Sequence, residues 1–86
     1  MPEMKYYIVY GNRKPEVQGQ DAFIKAMEEW SKKVEKDGLK VVFYGASLGV
    51  PENALCVYKG TPENFVKVLG PDSPITSTRT NVVITF

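Results

Sequence analysis

The order of its segments constrains this chain most. Four runs of strand composition and two of helix periodicity follow one another as strand, helix, strand, strand, helix, strand across nearly all 86 residues. Interleaved elements at this length fit one sheet and one helical layer and leave no room for a second core. The chain therefore reads as a single domain, 1–86. A domain this small buries only about 60–65% of the surface its unfolded chain exposes, so a second subunit would enlarge its core.

The runs are distinct in chemistry. Residues 4–10 (MKYYIVY) are aromatic and β-branched, with Tyr6, Ile8 and Tyr10 on one face and Tyr7 and Val9 on the other. A strand apolar on both faces is covered on both. Gly11 and Asn12 are expected to end it, and Lys14-Pro15 to keep the chain extended. Residues 21–36 place Phe23, Ala26, Met27, Trp30 and Val34 at steps of three and four, the stripe of an amphipathic helix. Gln20-Asp21 is its expected cap region and Gly38 its stop. The lysines and glutamates on its other side read as a solvent face with i,i+4 pairs such as Glu28–Lys32 and Glu29–Lys33.

The second half repeats the alternation. Residues 39–46 form a second strand, with Leu39, Val41 and Phe43 expected on one face and Lys40, Val42 and Tyr44 on the other. Gly49, Pro51 and Asn53 supply turn chemistry, and residues 54–59 make a third strand, so the two read as a hairpin. Thr61 caps a short helix with Pro62 at its first position. Phe65, Val66, Val68 and Leu69 are its expected buried side, and Gly70-Pro71 its stop. Residues 78–86 are the last strand. In it Thr78, Thr80, Val82, Ile84 and Phe86 are expected to face the helices, and Arg79, Asn81, Val83 and Thr85 the other side.

Two strand-helix-strand units joined by a hairpin predict a ferredoxin-like βαββαβ fold, α+β in class. Its antiparallel four-stranded sheet would carry both helices on one face. The strands are apolar on both faces, so the helix-free face needs a cover, and the same face of a second copy supplies one. This arrangement resembles the dimeric α+β barrel superfamily over nearly the whole chain. The stretches YGASLGVPENALCVYKG and PITSTRT are similar to those of small, functionally uncharacterised prokaryotic proteins of that kind. The resemblance implies a homodimer or a higher oligomer. The superfamily includes cofactor-free oxygenases, isomerases, haem-degrading enzymes and ligand-binding proteins, and no motif here assigns a residue to any of these roles.

Composition removes several chemistries. The chain has no histidine, which excludes a histidine general base, metal ligand or proximal haem ligand, and Ser-His or Cys-His nucleophile pairs. Neither a metal nor a cofactor is expected. A net charge of +1, from eleven basic and ten acidic residues, gives no footprint for nucleic acid or an anionic membrane. No apolar run approaches the roughly 20 residues of a bilayer span. The single Cys56 excludes an intrachain disulfide, and no apolar leader follows Met1, so a cytoplasmic location is expected. Cys56 itself reads as a buried structural thiol.

Two families of the same topology fail on their charge-handling groups. EVQGQDAF is similar to the acylphosphatase loop VQGVxFR, yet Ile24 follows Phe23 where that loop has its phosphate-holding arginine. The second strand, VVFYGAS, also lacks the water-orienting asparagine. YIVYGN is similar to one strand motif of RNA-recognition domains, but the third strand, ENALCVYKG, lacks the matching aromatic motif.

A ligand site remains open on the helix-free face. Arg79 can bind a carboxylate or enolate with two hydrogen bonds, and Asn81 shares its strand face. A tyrosine such as Tyr6 or Tyr44 would orient a small, partly apolar molecule there. Glu52, in the turn after Pro51, is the candidate partner of Arg79 or a general base. The leading expectation is small-molecule binding. A cofactor-independent isomerase or monooxygenase and a structural or regulatory module with a filled interface are the alternatives, and no catalytic residue is assigned.

Overall fold

A computed structural model describes residues 4–85. The elements are β1 (Lys5–Arg13), a 3-10 turn (Pro15–Val17), α1 (Gln20–Lys36), β2 (Lys40–Gly45), β3 (Ala54–Gly60), α2 (Pro62–Val66) and β4 (Ile75–Val83). The fold is α+β, with one four-stranded antiparallel sheet and two helices, and is compatible with a ferredoxin-like arrangement. β1 pairs with β3 and β4, and β2 pairs with β3, so the strands lie in the order β2-β3-β1-β4.

The two sets of β1 residues separate as the alternation predicts. Tyr7 and Val9 enter the core with Cys56, Tyr58 and Ala54 of β3. Phe23, Met27, Trp30 and Val34 of α1 and Phe65 of α2 pack onto the same set. Tyr7 stacks on Phe65 with ring centroids 4.1 Å apart, and Trp30 Nε1 donates to the buried Tyr58 hydroxyl at 2.8 Å. One sheet face therefore carries both helices.

Element ends differ from the sequence reading for local reasons. β1 runs on through Gly11 and Asn12, because Gly11 pairs with Ala54 and Ser77 inside the sheet. A Cβ there would collide with the Thr76 carbonyl and the Ile75 side chain, so this glycine permits close strand approach and makes no turn. Lys14-Pro15 leads directly into the 3-10 turn. The N-cap of α1 is Gly19, without a side-chain cap; Asp21 sits in the first turn. α2 starts as predicted, with Thr61 Oγ1 accepting from Asn64 N–H, but stops at Val66. Only Phe65 and Val68 of its predicted apolar side are buried; Val66 and Leu69 are exposed. β4 begins three residues earlier than predicted and ends at Val83; Phe86 lies outside the described residues. Lys33 pairs with Asp72 at 3.3 Å rather than with Glu29.

Two register shifts reset which face each strand presents. In β2 the shift falls between Val41, opposite Tyr58, and Phe43, opposite Val57. One extra residue reverses the alternation beyond it. Val41 and Tyr44 therefore both lie against the core, while Phe43 is turned to the helix-free face and is 56% exposed. The expected grouping of Phe43 with Val41 is overturned. In β4 the shift falls where Tyr10 opposes Arg79 and Gly11 opposes Ser77, leaving Thr78 as the extra residue. Thr80 and Val82 register on the helix side as expected, opposite Val9 and Tyr7, but Thr78 does not follow them.

Candidate functional site

The helix-free face can be written row by row from the register. One end row holds Lys40, Lys59, Tyr6 and Val83, and the middle row Phe43, Val57, Ile8 and Asn81. The other end row holds Gly45, Leu55, Tyr10 and Arg79. Cross-strand neighbours in such rows lie about 4.5–5.5 Å apart at Cβ, so each row forms a continuous surface. Val57 at its centre is only 6% exposed and lies outside the helix-side core cluster. Its flanking rows bury it without help from a helix. The face is apolar in the middle and charged at its two ends.

Arg79 anchors one end. Its guanidinium lies over the Tyr10 ring, 4.7 Å from the centroid, as their direct opposition in the register allows. Its Nη2 meets Glu52 Oε1 at 3.3 Å. Thr78 Oγ1 lies 2.7 Å from the other carboxylate oxygen of Glu52. Adjacent residues of a regular strand point to opposite faces, and the β4 bulge is what lets Thr78 and Arg79 converge on one carboxylate.

Glu52 arrives from the β2–β3 loop. Ser47 Oγ donates to the Glu52 carbonyl at 2.7 Å, and the Arg13 backbone N–H donates to Asn53 Oδ1 at 2.9 Å. These bonds fix the loop on both sides of Glu52. Its side chain is 11% exposed and that of Arg79 48%. The hydrogen bond from Thr78 contributes most to holding the Glu52 carboxyl below its ordinary pKa, followed by a backbone N–H, with the Arg79 charge adding to these. Burial opposes them and loses. Glu52 is thus a charged acceptor at neutral pH and a weak base.

The other predicted residues separate from this cluster. Asn81 shares the face, opposite Ile8 and one row from Arg79. Tyr6 is also on the face but four residues along β1 from Tyr10, about 13 Å away, where the Lys59 ammonium lies 5.6 Å from its ring centroid. Tyr44 does not belong to the site. The β2 bulge turns it to the helix side, where its ring meets Phe23 edge-on at 6.0 Å. Thr78 and Tyr10 complete the cluster and escaped the sequence reading. Strand alternation places Tyr10 on one face with Tyr6, but its position opposite Arg79 depends on strand register.

No protein-family model, curated protein or solved structure matches the chain. The chemistry of the site rests on its own geometry. Arg79 engages Glu52 through one nitrogen and is half exposed, so its fork can offer donors to an external oxyanion. The Tyr10, Leu55, Ile8 and Phe43 rows beside it offer an apolar bed.

Two further titratable groups, Cys56 and Tyr58, lie buried in the helix-side core. Burial pushes the Cys56 thiol up to about 12, against a hydrogen bond with Tyr58, so it is protonated at neutral pH. Burial also raises Tyr58. Among the described residues no three His, Cys, Asp or Glu side chains are placed to hold a metal, and no helix is long and apolar enough to cross a membrane. A surface depression of about 260 Å³ beside α1 is lined by Trp30, Lys33, Asp72 and their neighbours, and another of about 350 Å³ by Lys40, Lys59 and residues near them. Neither includes Arg79 or Glu52.

Proposed function

We propose that this chain is a ferredoxin-like module of the dimeric α+β barrel type. Two copies meet through their helix-free faces and hold a small, partly apolar anion between them, anchored by Arg79. The observation that carries this reading is the make-up of the uncovered face. Phe43, Val57 and Ile8 make an apolar centre, with Val57 already out of water, and the next row ends at an arginine that is stacked on Tyr10 and half exposed.

The dimensions support a second copy. The molecule measures 40 × 28 × 18 Å, and 18 Å is thin enough for one sheet and one helical layer only. Four strands about 4.8 Å apart and six to nine residues long make a plate roughly 15–19 Å by 20–30 Å. That plate, roughly 300–570 Å² before side chains corrugate it, comes close to the about 600 Å² that each partner contributes at the small end of specific interfaces. Asn81 adds a polar group one row from Arg79 on the same face, and Tyr6 sits at the far rim. The low basicity of Glu52 favours binding over proton abstraction at this site.

The test uses benzoate as probe and benzamide as its neutral counterpart, followed by NMR on the labelled protein. Benzoate should shift the Arg79 side-chain resonance and the amides of Tyr10 and Asn81, and benzamide should not. Arg79→Ala should remove benzoate binding and keep the dimer. A dimer that dissociates in Arg79→Ala assigns the arginine to the interface and ends the ligand reading.

A further inference from the structure

We infer that Glu52 is the site's own carboxylate ligand, a resident group that a carboxylate-bearing molecule displaces from Arg79. The inference rests on the proposed ligand site and narrows its occupant from an anion to a carboxylate with an apolar body.

Three features of the cluster make Glu52 displaceable. Its contact with Arg79 is single and long, one nitrogen to one oxygen at 3.3 Å, where charge-assisted hydrogen bonds run about 2.7–2.9 Å. A planar guanidinium matches a carboxylate through two parallel bonds, so an external carboxylate can offer more than Glu52 does. The arginine also keeps its Tyr10 platform, 4.7 Å below it, whichever carboxylate it holds.

Glu52 has somewhere else to stay. Thr78 Oγ1 binds its second oxygen at 2.7 Å, closer than Arg79 binds the first. The Glu52 backbone is held by Ser47, and its neighbour Asn53 by Arg13. A rotation of the side chain alone exchanges partners, and the loop need not unfold.

The same geometry sets the selectivity. A neutral molecule offers no charge to replace that of Glu52, so it would leave the arginine's ion pair uncompensated. A carboxylate seated on Arg79 directs its apolar end along β1 and β3, over Tyr10, Leu55 and Ile8. The resident ion pair is a modest competitor, because a half-exposed arginine in water gives little net attraction.

Glu52→Gln removes the competing charge and keeps the shape and the link to Thr78. In this variant benzoate should bind about two- to fivefold tighter than in the wild-type protein, the factor by which a weak ion pair competes. In the wild-type protein, saturating benzoate should shift the side-chain carboxyl carbon of Glu52 together with the Arg79 Nε–H signal. Equal or weaker benzoate binding in Glu52→Gln, or an unmoved Glu52 carboxyl at saturation, overturns the displacement. If benzoate binding still depends on Arg79, the proposed ligand site survives that result. Failure of benzoate to bind either protein overturns both.

Discussion

The two faces of one sheet are built from the same four strands and behave differently. On the helix side Tyr7, Val9, Cys56 and Tyr58 interdigitate with Met27, Trp30, Val34 and Phe65, and the buried Trp30 N–H donates to the Tyr58 hydroxyl oxygen. On the other side Phe43, Val57, Ile8 and Tyr10 touch mainly their cross-strand neighbours, and Phe43 remains more than half exposed. The covered face is complete within one chain. The open face is apolar enough to want a cover and carries Arg79 at its end. The packed core and the proposed ligand face are thus divided between alternate residues of the same strands.

That division can be broken from either side. The largest effect is expected on the open face. Phe43→Glu removes an aromatic worth about 1.5–3 kcal/mol on burial, and twofold symmetry counts it twice. The proposed dimer should dissociate, by light scattering, while the circular dichroism of the chain is unchanged. On the covered face Met27, with 0% exposure, should behave oppositely. Met27→Ala should lower folding stability by about 2–5 kcal/mol in urea titration and leave the surviving folded fraction able to pair.

A smaller effect separates packing from polar satisfaction within the covered face. Tyr58→Phe leaves the Trp30 Nε1 donor buried without its acceptor and should cost about 1–3 kcal/mol in the same titration.

The smallest effect belongs to Glu52. Its folded pKa lies below the ordinary 4.5, so its contacts stabilise the fold while it is charged. That contribution is present above pH 4.5 and is lost as pH falls from there through the lower folded value. Thermal unfolding of the wild-type protein and Glu52→Gln should converge as pH drops below 4.5 and through the lowered folded value. A gap that widens instead would contradict the assignment of Glu52 as a bound carboxylate.

Much of the fold was legible because the hydrophobic patterns are strong. The α1 stripe, the split of β1 between Tyr7/Val9 and Tyr6/Ile8/Tyr10, and the Thr61 cap all follow from spacing and side-chain chemistry. The errors about which face a side chain takes cluster at the two bulges. Alternation is a rule for regular strands, and one inserted residue reverses it, which moved Phe43 outward, Tyr44 inward and Thr78 toward Glu52. Neither Val42 nor Thr78 carries a sequence mark of a bulge, since no glycine stands at either position. The Arg79–Glu52 pairing was legible as a possibility from charge alone. The Tyr10 platform was not, because it depends on which residue of β1 stands opposite Arg79.

The central claim is that the open face is an interface between two copies, and the mass of the wild-type protein in solution tests it most directly. Light scattering coupled to size exclusion should give twice the 9.6 kDa chain mass at micromolar concentration, falling to one chain mass in Phe43→Glu. A wild-type protein that remains at one chain mass, or a Phe43→Glu variant that still runs as a dimer, would contradict the account.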